Sequence, residues 1–196
     1  MSAIHLQTSL IPPNMENKYD RKRWLDEGMC AFVSWQWVEP FAQWIGKRRC
    51  LEIMAGRGLL AYALKKRGTE IVATDNFIWQ QEDLHPEWNS PVIDVEEIDC
   101  LKAIRKYGQD AELMIMSWPP YNERIAYYAL KEFYRVNREG LVVYIGEERG
   151  GHTADDLFFD HFKPVPDREF KQVTVRFENW YGINDYPQLG RYFQRK

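Results

Sequence analysis

The residues best placed to do chemistry cluster at a glycine-rich turn, Glu52-Ile53-Met54-Ala55-Gly56-Arg57-Gly58, and at three later points in the chain. Glycines between a strand and a helix tolerate positive φ and let a ligand approach the backbone with no Cβ in the way. A helix opening near Leu59 presents its unpaired N–H groups to the same place. Asp75, followed by Asn76 and Phe77, ends the next apolar run. A carboxylate there can accept hydrogen bonds from both hydroxyls of a ribose, each charge-assisted bond contributing roughly 1.5–3 kcal/mol. The other two points are Ile93-Asp94-Val95 and Ser117-Trp118-Pro119-Pro120-Tyr121. Trp118 and Tyr121 offer aromatic faces that attract a cation by about 0.5–2 kcal/mol each.

Positioning these residues requires strands that end where they stand. Apolar runs at 50–54, 70–75, 91–94, 113–116 and 141–145 read as strands. Helical spacing occupies 59–67, 96–107, 123–136 and 154–162, and Gly68 suits a helix stop. Repeated strand–helix units imply a parallel sheet covered on both faces, with ligands beyond the carboxyl ends of the strands. Runs at 172–178 and 191–194, joined through Asn184-Asp185-Tyr186-Pro187, read as a terminal hairpin. The expected fold is α/β: a three-layer αβα sandwich whose mostly parallel, Rossmann-like sheet ends in an antiparallel hairpin. Residues 1–18 read as an extended or disordered arm, broken by Pro12-Pro13, and 19–196 as a single domain. Within it, 19–46 forms a helical cap or lid in which Trp37, Phe41, Trp44 and Ile45 share a face and Pro40 marks a kink or boundary. Tyr19, Trp24 and Trp35 belong either to a lid or to a helix on the sheet edge.

Composition limits the partners. The chain has 196 residues, enough for one domain with its own core. A net charge of −3 and short, scattered basic runs argue against duplex DNA. Three cysteines without CxxC spacing indicate a reducing compartment and neither zinc nor disulfides. His5, His85 and His161 show no ligand spacing, so no metal site is expected. No run approaches the ~20 apolar residues of a membrane span, and the expected location is cytoplasmic. Glu147 and His152, in the glycine-rich loop after the fifth strand, are candidates for substrate contact or a base, whereas Thr153 or Asp155 suits a helix cap.

Two cofactor classes fit the glycine turn, because Gly56-x-Gly58-x-x-Ala61 with a downstream acid also satisfies the dinucleotide fingerprint. Glu52 separates them. A dinucleotide offers no cation for a strand acid four residues before Gly56, whereas the α-ammonium of S-adenosylmethionine does. The chain is also too short after the motif for a second mononucleotide half and a substrate domain. The sequence at this point resembles the class I S-adenosylmethionine-dependent methyltransferases over roughly residues 47 to 196. Residues 51–58 are similar to their first motif and Asp75 to their ribose-binding acid. Asp94 and Val95 match the third-strand pair that contacts adenine. The resemblance implies that Glu52, Met54, Ala55, Gly56, Gly58, Asp75, Asn76, Phe77, Asp94, Val95 and Ser117 hold the cofactor.

Trp118, Pro119, Pro120 and Tyr121 resemble the Asp/Asn/Ser-Pro-Pro-Tyr motif of enzymes that methylate amino groups, and are the implied catalytic residues. Two departures stand out. Met54 replaces a usual glycine, and Trp118 occupies the place of an amine-accepting residue although an indole N–H only donates. The expected activity is methyl transfer from S-adenosylmethionine to an unidentified acceptor, possible acceptors including an amino group of a small molecule, nucleotide or protein. A catalytically inactive binding module and a nicotinamide-dependent oxidoreductase are the alternatives.

Overall fold

The computed structural model describes residues 10–81, 88 and 90–194. Seven strands form one sheet: β1 (Cys50–Ile53), β2 (Ile71–Asp75), β3 (Val95–Glu97), β4 (Leu113–Ser117), β5 (Leu141–Gly146), β6 (Phe162–Pro164) and β7 (Tyr186–Tyr192). Their order is β3-β2-β1-β4-β5-β7-β6. The first five pair in parallel, and β7 lies antiparallel between β5 and β6. The helices are α1 (Arg21–Asp26), α2 (Trp35–Ile45), α3 (Leu59–Lys65), α4 (Ile78–Gln81), α5 (Cys100–Tyr107), α6 (Ile125–Val136), α7 (Asp156–His161) and α8 (Arg168–Thr174).

The period of two along each strand divides the core into two layers. Leu51, Ile53, Met114, Met116, Val142 and Tyr144 pack with α5, α6 and α7. Cys50, Leu113, Ile115, Val143 and Ile145 pack on the other face with α2, α3 and α8. Strands buried on both faces read as continuous apolar runs, which is why β4 and β5 were plain in the sequence. Between β1 and β4 the direction of strand progression reverses, and this opens a crevice at their carboxyl ends.

Three elements differ from the sequence expectation. The third strand is Val95–Glu97, not 91–94. Pro91 has no N–H to give a ladder, and the Val92 N–H is spent on the Arg57 carbonyl at 2.9 Å; pairing with β2 starts at Val95. The following helix accordingly begins at Cys100, with Asp99 as its cap. The expected strand over 172–178 is instead α8. The β-branched Val173, Thr174 and Val175 suggested a strand, but Asp167 caps the Phe170 N–H at 2.7 Å and Phe170 and Val173 bury one helical face. The antiparallel pairing therefore joins β6 to β7, where the end of a helix had been expected. In α2, Pro40 lies inside a continuous helix whose apolar face buries six residues.

From residue 10 onward the arm is fastened to the body. Trp35 N–H donates to Pro12 O and Gln36 N–H to Pro13 O, both at 2.9 Å, and Met15 N–H donates to Glu178 at 3.0 Å. Expectations for residues 1–9 and for His85 fall outside the described residues. Among the described residues no helix is long and apolar enough to cross a membrane.

Candidate functional site

At the switch point lies a cavity of about 470 Å³, within the usual range for small-molecule sites. Its walls come from the ends of β1, β2, β3 and β4 and from residues 28–33, which precede α2. The turn after β1 is wound by positive φ at Met54 (+54°), Gly56 (+54°) and Gly58 (+79°). Left-handed backbone at a methionine is strained by about 1 kcal/mol or more. Phe77 (+52°) and Trp118 (+51°), at the ends of β2 and β4, carry the same strain. Strain of this kind concentrates where a backbone is held for function.

The two glycines serve different ends. A Cβ on Gly56 would find the Trp88 ring at 3.6 Å, ordinary contact distance, and Gly56 faces the cavity. A Cβ on Gly58 would strike Ile93 and Val95 methyls at 2.7 Å. Gly58 therefore allows α3 to sit close to the third strand, and neither it nor Val95 lines the cavity.

Glu52 is the most unusual side chain in the site. It is 2% exposed and lines the cavity, and its Oε2 has no hydrogen-bond partner among the described residues. Burial pushes its pKa up to about 8, against a backbone N–H from Ala61, with the nearby Asp75 charge adding to the rise. An orphaned carboxylate oxygen in an apolar wall is costly unless something cationic or hydrogen-bonding meets it.

Asp75 fastens the turn to the sheet. Its Oδ2 accepts the Gly56 N–H and its Oδ1 the Phe77 N–H, both at 2.7 Å. Burial raises its pKa, opposed by these bonds. Asp75 and Asn76 line the cavity, whereas Phe77 does not. Thus the carboxylate expected to meet a sugar also holds the glycine turn in place.

At the third strand the sequence reading was displaced by five residues. Asp94 is exposed at the amino end of β3, away from the cavity, and Val95 is buried beneath Gly58. The acid at the carboxyl end is Asp99, which lines the cavity between Ile98 and Cys100 while accepting the Leu101 and Lys102 N–H groups at 3.1 Å. An Asp immediately before the run 100–104 is a helix-start signal that would have located it.

Beyond β4, Ser117, Trp118 and Pro120 line the cavity; Pro119 and Tyr121 do not. Tyr121 is 61% exposed and sits 6.1 Å from the His152 ring. The Trp118 indole N–H donates to Asp185 at 2.7 Å, and Asn179 holds the other oxygen of this buried acid at 2.8 Å. The indole is therefore locked, with the Arg21 guanidinium 5.5 Å from its ring. Glu147 accepts the Asn184 N–H and both the backbone and the ring of His152, which places this pair in a polar basin beside Asp185 rather than in the cavity.

The sequence reading did not single out Gly28–Ala31, Val33, Trp79 or Trp88, all of which line the cavity. Tyr19, Trp24 and Trp35 do not; they pack respectively against Tyr181, Phe32 and the Arg67 guanidinium.

No protein-family model matches the sequence, and no curated protein matches it. Solved structures do. Human N-acetylserotonin methyltransferase in complex with SAM superposes with a TM-score of 0.50 at 15% identity, covering 90% of this chain and 56% of that one. Burkholderia thailandensis 1,6-didemethyltoxoflavin-N1-methyltransferase, with bound 1,6-didemethyltoxoflavin and S-adenosylhomocysteine, gives 0.50 at 14%, covering 89% and 82%. The fold is that of the class I methyltransferases. This chain spans little more than half the length of the human methyltransferase, and at such identities the likeness concerns the methyltransferase fold alone.

Proposed function

We propose that this protein binds S-adenosylmethionine in the cavity at the β1/β4 switch point and transfers its methyl group to an acceptor entering past Trp118. The observation that carries this reading is Glu52, a buried residue of the cavity lining whose Oε2 has no hydrogen-bond partner among the described residues. An α-ammonium group is a fitting partner, since a charge-assisted bond in a buried site contributes roughly 1.5–3 kcal/mol. Asp75 and Asn76, at the end of β2, would hold the ribose hydroxyls; Ile98 and Asp99, at the end of β3, would border the base. When bound, S-adenosylmethionine supplies an electrophilic methyl on a sulfonium sulfur. The protein's part is orientation and exclusion of water, which alone can account for several kcal/mol of a displacement barrier. Trp118 contributes an aromatic side chain to the cavity lining, and an aromatic face attracts a nearby positive charge.

Equilibrium dialysis with methyl-labelled S-adenosylmethionine tests the binding. Retention of the label, weakened at least about tenfold in Glu52→Gln, supports it; no retained label removes it. A second reading, a binding module without chemistry, draws on Trp118: its indole cannot accept a hydrogen bond and its one donor is committed to Asp185. Transfer of label into any component of a cell extract would eliminate that alternative. The nicotinamide reading is disfavoured by the same Glu52, whose charge would face a pyrophosphate-bearing ligand; thermal protection by NAD(P)H but not by S-adenosylmethionine would restore it.

A further inference from the structure

One wall of the cavity comes from outside the strand–helix units. Gly28, Met29, Cys30 and Ala31 follow the six-residue helix α1, which buries none of its side chains. What fastens this segment is the glycine turn itself. Arg57, 5% exposed, directs one guanidinium nitrogen to the Glu27 carbonyl at 2.7 Å and to the Glu27 carboxylate at 2.9 Å, and another to Ser90 O at 3.2 Å. Gly28, at φ +81°, lies flat on the Arg57 stem, where a Cβ would be only 2.8 Å from Arg57 Cδ. Trp88 supplies the second fastening: its indole N–H donates to Leu25 O at 2.7 Å, while its ring packs beside Gly56 and Trp79.

These contacts have an asymmetry. Downstream, Met29 and Phe32 are fully buried and anchor the segment in the core. Upstream, Trp24 packs against Phe32 and Arg21 lies over the Trp118 ring, but the fastening to the glycine turn consists of a few hydrogen bonds, and the Glu27 side chain is 50% exposed, so water can replace its half of the ion pair cheaply. Segments with few buried contacts and wet hydrogen bonds open at the low end of local stability. We propose that Arg57 and Trp88 are positioning residues for the donor site, clasping residues 21–30 across the cavity so that the donor enters and leaves only when this clasp opens. The gate rests on the proposed donor binding; the clasp itself does not.

Two variants loosen the clasp without touching the cavity's acids: Glu27→Ala removes the carboxylate, and Trp88→Phe removes the donor to Leu25 while keeping a ring. The first readout needs no ligand. Trypsin cleavage at Lys22 and Arg23 should accelerate about fivefold in each variant while the melting temperature of the body stays put; unchanged cleavage would overturn the clasp whether or not any donor binds. The second readout uses S-adenosylhomocysteine on immobilised protein. For Glu27→Ala, which lies outside the cavity lining, a gate requires association and release to quicken together, by about five- to tenfold, with Kd within about threefold of the parent. Faster release with unchanged association would show a fixed wall and overturn the gate. Failure of the parent to bind S-adenosylhomocysteine would overturn the gate together with the proposed function, leaving the cleavage result to decide the clasp.

Discussion

Replacing Glu52 by Gln should make the protein more stable near neutral pH and worse at binding its donor. In the unfolded chain this carboxyl ionises near its ordinary value of 4.5, whereas in the folded protein burial lifts its pKa to about 8. Between those values the unfolded chain binds fewer protons than the folded one, so folding stability falls as pH rises. The contribution is fully retained below about pH 4.5 and lost progressively up to about pH 8. At pH 7 the gap of roughly 2.5 units corresponds to about 3 kcal/mol. The amide introduced by Glu52→Gln cannot ionise and is free of this loss. Urea unfolding of both proteins from about pH 4.5 to pH 8 isolates the effect, because other titrating groups cancel in the difference. The stability advantage of Glu52→Gln should widen by about 3 kcal/mol between pH 4.5 and pH 7. Parallel stability curves across that range would refute the assignment of Glu52 as an acid whose ionisation burial opposes.

Further outcomes follow from neighbouring residues. Gly58→Ala should cost about 2–4 kcal/mol in urea unfolding, combining positive-φ strain with overlap on Ile93 and Val95, whereas Gly56→Ala should cost only about 1 kcal/mol and act mainly on S-adenosylhomocysteine binding; equal costs would contradict their division of labour. Asp99→Ala should lose about 1 kcal/mol of helix capping and weaken S-adenosylhomocysteine binding in calorimetry, while Asp94→Ala leaves both unchanged. The reverse pattern would restore the 93–95 reading. Trp118→Phe should destabilise by about 1–3 kcal/mol in thermal unfolding because it strips a donor from the buried Asp185, and adding Asp185→Asn should recover part of that loss. A fully neutral Trp118→Phe would mean the indole is not locked.

Much of this architecture was legible because its strands are buried on both faces. Apolar runs such as Leu141–Ile145 have no competing explanation, and the glycine turn and Asp75 fall at strand ends where a parallel sheet concentrates its ligands. Legibility failed where tertiary context outweighed local preference. Val173 and Thr174 favour strands in isolation, yet the Asp167 cap and a place for Phe170 beside Trp44 made them helical. The 91–94 segment looked like a strand, but the Arg57 carbonyl takes its Val92 N–H, and the strand's displacement leaves Asp99, not Asp94, in the cavity lining. The wall formed by Gly28–Ala31 had no local signal; the segment adjoins the glycine turn through a contact between Glu27 and Arg57, thirty residues apart in sequence.

In the proposed complex a cationic donor meets Glu52 in this cavity. Calorimetric titration of S-adenosylhomocysteine at about pH 7, in two buffers of different ionisation enthalpy, measures it directly. An ammonium group settling against Glu52 should expel close to one proton from the carboxyl, and Glu52→Gln should expel none. Binding with no proton released by the parent protein, or no binding heat in either buffer, would contradict it.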